Sequence, residues 1–322
     1  MKKILYATVA MLAASSLNAA EMKLSYTHQA SMESEIHVAA WTLKNYLADG
    51  GLIDAKLYAN NQLGQEREVY EGMQLGSGAD CIISGTAILG NFSKKVGVLD
   101  LPFLWKDYDM VHTVLDGEVG DLLAEELKGS GFTVIDFMDS WGYRNVVTAG
   151  KPVNAPEDLK GLKLRTIPTD TYVAAVNAMG ANATPMAFGE VYTAMETGVL
   201  DGLEHGASVV LANKFYEVAD HMALTKHLFG PLVFACSNSF ISSLSKEELA
   251  ALEEASAFAR DVQRALAPVR EAEALDQLRA KGMTITEIDV TPLREAAKPV
   301  QDELAAAAGA SDLLAKIRDG GM

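Results

Sequence analysis

The apolar positions change period repeatedly along the chain, and each change marks an element. Residues 23–28 read as a strand; after a turn over residues 31–35, Ile36, Ala39, Ala40, Leu43 and Leu47 recur at helical spacing until Gly50-Gly51 stops them. A strand over 55–59, a helix over 67–75 and a buried strand over 81–84 follow. The pattern then predicts a helix over 108–128 and strands over 132–137, 144–148 and 163–167. Helices over 172–179 and 190–197 are each closed by a glycine, Gly180 and Gly198. Strand and helix alternating in this way predict an α/β layer architecture with a largely parallel sheet.

Near the C-terminus, Ser245-Lys246-Glu247-Glu248 has the capping-box form, in which the serine and the third-position glutamate satisfy each other's orphan amides. A helix starting there can run to Gly282, about 57 Å at 1.5 Å per residue. Pro268 either kinks it or divides it into two helices, because the proline ring removes one ladder hydrogen bond and crowds the preceding turn. A helix of that length in a compact chain can bridge two lobes. The alanine run at 305–308 reads as a good helix former.

The first twenty residues break the pattern. Lys2 and Lys3 precede an apolar run over residues 4–14, then small and polar residues to Ala20. This is the form of an export signal, too short to span a bilayer, with cleavage expected after Ala19 or Ala20. No cysteine follows the run, so no lipid anchor is expected, and the mature protein is read as soluble and exported. Loss of the two lysines takes the net charge of the 322-residue chain from −16 to −18. That acidity leaves no basic footprint for nucleic acid. Cys81 and Cys236 would meet an oxidising compartment, where an even count permits one disulfide. Their apolar, strand-like settings favour buried free thiols.

Enzyme motifs are missing: the chain has no G-x-S-x-G, G-x-G-x-x-G, phosphate loop or H-E-x-x-H, and its six histidines lack metal-ligand spacing. No metal or cofactor is expected. What stands out is a pair of arginines at strand ends, Arg144 and Arg165, where ligands bind in open α/β sheets. A guanidinium presents a planar fork that fits a carboxylate with two parallel hydrogen bonds. On sequence alone an arginine at a strand end is more often a solvated or structural ion-pair residue than a ligand contact.

Several segments together resemble the extracytoplasmic solute-binding protein of TRAP (tripartite ATP-independent periplasmic) transporters, the DctP family. The most specific runs from Thr184-Pro185-Met186-Ala187-Phe188 through Glu190-Val191-Tyr192 to Thr197-Gly198-Val199-Leu200-Asp201-Gly202-Leu203-Glu204. Gln62-Leu63-Gly64, Leu101-Pro102-Phe103, Gly117-Glu118-Val119-Gly120 and the stretch from Lys151 to Arg165 support it. The resemblance implies a two-lobe, periplasmic-binding-protein-like α/β fold with a long hinge-spanning C-terminal helix. Lobe I would take residues 21–142 plus 231–268, and lobe II residues 143–230 plus 269–322, after a signal peptide over 1–20.

The implied role is binding, not catalysis. A monomeric periplasmic protein would capture a small carboxylate and deliver it to the small and large integral membrane subunits. Arg165 falls on the family's principal carboxylate-binding arginine, although Pro168 comes two residues later than usual, and Arg144 falls on its second. Glu204, Phe188, Met186, Trp141, His28, Gln29, Gly85 and Thr86 are further candidate site residues; Trp141 and Phe188 are equally read as core. His205 stands where many relatives carry asparagine, and an imidazole can donate, accept or charge. A 2-oxo or 2-hydroxy acid with an apolar or aromatic body is the expected ligand, and a uronate or aldonate the alternative. A periplasmic enzyme acting on a carboxylate and an adhesion or structural protein are the readings from other classes.

Overall fold

The computed structural model describes residues 19–139 and 142–320; nearly all of the export signal, and Trp141, lie outside them. Along the described chain come β1 (Ala20–Ser25), β2 (Ile53–Tyr58), β3 (Cys81–Gly85), β4 (Phe132–Met138) and β5 (Arg144–Thr148). Next are β6 (Lys163–Thr166), β7 (Asn182–Pro185), β8 (Gly202–His205), β9 (His221–Leu228), β10 (Leu232–Ser237) and β11 (Thr284–Glu287). They form two sheets, one in the order β2-β1-β3-β10-β4, the other in the order β11-β9-β5-β8-β6-β7.

Both sheets are mixed, not largely parallel, and the reason is topological. The chain leaves the first sheet at the end of β4, enters the second as β5, and returns from β9 into β10. A strand that arrives from the other lobe starts at the edge facing that lobe, where the local parallel strands end. Accordingly β10 runs antiparallel to β3 and β4, and β5 antiparallel to β8 and β9. The carboxyl ends of β1, β3, β6 and β8 and the amino end of β5 therefore meet along one cleft.

Around the first sheet pack α1 (Glu35–Gly50), α2 (Glu66–Gln74), α3 (Thr86–Leu89), α4 (Tyr108–Leu115) and α5 (Glu118–Gly129). The helix expected over 108–128 is thus two. Gly120 lets α5 fold back over the end of α4, since a Cβ there would lie 1.9 Å from the Leu115 carbonyl oxygen. The second sheet carries α6 (Asp170–Ala178), α7 (Val191–Glu196) and α8 (Ala207–Ala212). It buries an apolar layer on each face, Val147, Leu203 and Met222 on one, Val146, Leu164 and Ala223 on the other. After the short α9 (Asn238–Ser243), α10 (Lys246–Ala280) begins at the expected capping box, with Glu248 N donating to Ser245 Oγ and Ser245 N to Glu248 Oε2.

Helix α10 passes Pro268 without interruption, burying Leu252, Ala255 and Ala259 in lobe I and Ala274 and Leu278 in lobe II. Helix α11 (Thr291–Ala307) follows and reaches both α6 and lobe I, and α12 (Ser311–Gly320) closes the chain. The C-terminal segment, expected wholly in lobe II, comes back: Leu314 and Ile317 of α12 are buried with lobe I against α4 and α5. Their spacing makes one apolar stripe that must be covered, and a turn at Gly309 brings it there. The two cysteines are also corrected. The antiparallel register of β3 and β10 sets Cys81 directly opposite Cys236, and they form a disulfide.

Candidate functional site

Strand parity sorts the two arginines. In the β5–β8 ladder Val146 pairs with Glu204, so Arg144, two residues before Val146, shares a sheet face with Glu204. Its guanidinium grips that carboxylate with a fork: Nε donates to Oε2 and Nη2 to Oε1 at 2.9 Å, while Nη2 also reaches the Glu204 carbonyl oxygen at 2.8 Å. Both side chains are fully buried. Thr166 Oγ1 donates to Glu204 at 3.1 Å, and His227 Nε2 stands 3.7 Å away. Burial alone would push the Glu204 carboxyl up, but Arg144 and His227 hold it down at about 2. This pair is an internally balanced ion pair.

Arg165 lies on the other face, paired in register with Leu203. Its Nε and Nη2 donate to the Met186 carbonyl oxygen at 3.0 and 2.8 Å, so Met186 contributes its backbone and not its thioether. Nη1 is buried and has no hydrogen-bond partner. No ion pair is formed by Arg165 among the described residues. Burial first, and then the repulsion of Arg144 against the pull of Glu204, lower its pKa to about 10, which leaves it cationic at neutral pH. The Phe188 ring centroid is 5.7 Å from the guanidinium carbon.

The imidazoles around these arginines are held neutral. His28, just beyond β1, is buried with Nδ1 3.2 Å from Ser34 Oγ; burial, then Arg144, push its pKa down to about 3. His205 Nδ1 accepts from Gly206 N at 2.9 Å, which puts the proton of the neutral ring on Nε2. Burial and then Arg144, His28 and Arg165 hold it far below the usual range. Phe188 lies between them, 5.5 Å from the His28 ring and 5.6 Å from that of His205. Among the described residues Arg165 is thus the cleft arginine with no ion-pair partner, its charge balanced only from a distance by Glu204 and Glu66, a costly arrangement for a buried cation.

The other expected residues divide. Gly85 ends β3 at the cleft, but Thr86 is occupied within its lobe, with Oγ1 donating to Asp100 and its amide to the Pro231 carbonyl oxygen. Gln29 is exposed and stays outside the cluster. Trp141 falls outside the described residues.

Three residues were missed. Glu66, at the start of α2, accepts from Ser84 Oγ at 2.7 Å and feels both arginines, while burial raises its pKa. Asn61 has a buried Oδ1 with no partner and sits with Gln65 against Gly189, facing lobe II. Asp100 joins the network behind the arginines. The Gln62-Leu63-Gly64 and Leu101-Pro102-Phe103 segments, both noted in the sequence, adjoin these residues and were the available signal.

The chain matches the family described as bacterial extracellular solute-binding protein, family 7 (DctP), over residues 26–307. It is 34% identical over 294 residues to the 2,3-diketo-L-gulonate-binding periplasmic protein YiaO of Escherichia coli K12, covering 90% of this chain and 89% of that protein. Among solved structures, it is similar to a TRAP periplasmic solute-binding protein from Sulfitobacter sp. NAS-14.1 with bound β-D-galacturonate. The TM-score is 0.88 at 29% identity, over 93% of this chain and 99% of that one. A TRAP periplasmic solute-binding protein from Polaromonas sp. JS666 bound to D-erythronate gives a TM-score of 0.88 at 29% identity, over 93% and 98% of the two chains.

Proposed function

The chain belongs to family 7 of the bacterial extracellular solute-binding proteins, the periplasmic components of TRAP transporters, and on that premise we propose that it captures a small hydroxy acid whose carboxylate docks on Arg165. The observation that carries this reading is the buried Nη1 of Arg165, a charged donor with no acceptor. A carboxylate placed there completes the fork with charge-assisted hydrogen bonds, roughly twice as strong as neutral ones. Phe188 supplies an apolar wall for the ligand body, and the Nε2–H of His205 a donor. Arg144 and Glu204 frame the site from behind. The protein holds and releases the acid without covalent chemistry, acts as a monomer, and hands the ligand to the small and large membrane subunits. No described helix is long and apolar enough to cross a membrane itself.

A 2-hydroxy acid with an apolar body is the first choice. A sugar acid is the second reading, and Asn61 favours it, because its unpartnered Oδ1 is an acceptor suited to a hydroxyl group further along the ligand. Titration calorimetry with 2-hydroxy-3-methylbutanoate, D-erythronate and D-galacturonate in competition separates the two. Arg165→Lys keeps the charge but not the fork, and weakens binding of the preferred acid by about tenfold or more. Unchanged affinity in that variant would overturn the assignment.

A further inference from the structure

Tyr172 belongs by chain position to lobe II, on the first turn of α6, yet its fully buried side chain packs into the lobe I core. Its hydroxyl donates to Asp100 Oδ1 at 3.1 Å, and the other carboxylate oxygen of Asp100 accepts from Thr86 Oγ1 at 2.9 Å. Its ring lies under Arg144, with the guanidinium carbon 5.3 Å from the centroid. One side chain therefore touches both the far lobe and the arginine that frames the site. The contact runs directly beneath the crossing between β9 and β10. A Cβ at Gly230 would come within 2.6 Å of both the Tyr172 hydroxyl and Asp100 Oδ1, so only glycine lets the crossing pass over this bond.

We propose that Tyr172 is a positioning residue for ligand capture, its hydroxyl fastening lobe II to Asp100 as the cleft closes while its ring sets Arg144. Nothing else need be strained. Asp100, with Thr86 and Tyr172 as donors and Arg144 and Glu204 as the charges around it, is buried to 1% exposure. On this proposal the bond forms only as the lobes come together, so loss of the tyrosine hydroxyl leaves a buried acceptor short of its donor in the closed state alone, where water cannot replace it. The closed state is then less populated and the apparent affinity falls in proportion. A bond present in both states would alter folding stability and not affinity.

This rests on the reading that the acid sits at Arg165, and the test keeps the two apart. In the full mature chain, Tyr172→Phe retains the ring and deletes the hydroxyl. Calorimetry with 2-hydroxy-3-methylbutanoate, D-galacturonate and D-erythronate, with dissociation rates by stopped flow, should show roughly 5- to 100-fold weaker binding of the acid that binds wild type, mostly as faster release. Asp100→Asn, which keeps an oxygen for Tyr172, should retain more affinity than Asp100→Ala. A lower melting temperature with dissociation constants within twofold of wild type overturns the proposal, as does equal loss in the two Asp100 variants. Binding destroyed by Arg165→Lys but untouched by Tyr172→Phe leaves the function standing and removes the latch. Failure of the wild type to bind any of the three acids removes both.

Discussion

Arg144 and Arg165 differ little as sequence: each stands at a strand end beside the cleft, and each is buried. One finds its carboxylate inside the protein and the other does not. The cause is parity, because an odd offset in strand register places Arg165 on the sheet face that Glu204 does not occupy. Arg144 is bound into the fold, whereas Arg165 is held by a carbonyl oxygen and, in the function proposed above, takes its anion from the ligand. A buried cation is evidence of binding when its charge is left unmatched, and of architecture when it is matched.

The strongest way to break this contrast is to remove each charge in turn. Arg144→Met strands Glu204 as a buried unpaired anion and should lower unfolding stability by about 3–5 kcal/mol in urea titrations. Arg165→Met breaks no ion pair and releases only the Met186 carbonyl oxygen. Its stability should stay within about 1 kcal/mol of wild type or rise, because a desolvated cation is exchanged for an apolar side chain of similar length, while acid binding disappears. Equal destabilisation of the two variants would erase the distinction.

Protons give a smaller effect. His28 is held neutral by burial and by Arg144, its pKa pushed down from 6.5 to about 3. The folded protein therefore refuses a proton that the unfolded chain accepts below about 6.5, so this contribution to stability is full above that pH and is lost as pH falls towards 3. His28→Gln should lose less stability than wild type between pH 6.5 and 4, by on the order of 1–3 kcal/mol, in thermal melts across that range. The smallest effect comes from trimming the matched pair. Thr166→Val deletes one hydrogen bond to Glu204 and should cost about 1 kcal/mol, with little change in binding.

Much of this was legible in the chain. The capping box at Ser245 announced α10 to within a residue of its start, and the alternation of short apolar runs with helical stripes announced the layers. The two arginines could be named from their strand ends and from the resemblance. Their division of labour could not, because it depends on which residue of β8 faces which residue of β5, and pairing across 60 positions leaves no local mark. For the same reason Cys81 and Cys236 read as separate buried thiols until the β3–β10 register put them face to face. Glu66 carries no local mark either, since its hydrogen bond to Ser84 and its nearness to the two arginines are tertiary facts. Helix α12 was misassigned because an apolar stripe says that it must be covered but not by what.

The Cys81–Cys236 bond, whose ends are 155 positions apart in sequence, encloses β4 to β9 and so every strand of the second sheet but β11. In chain connectivity lobe II is a bead threaded on a covalent ring whose clasp lies in the middle of lobe I. A protease that cuts any loop of that ring opens it without dividing the molecule. Under non-reducing conditions such a nicked protein still travels as one chain, and only a reductant separates its two pieces.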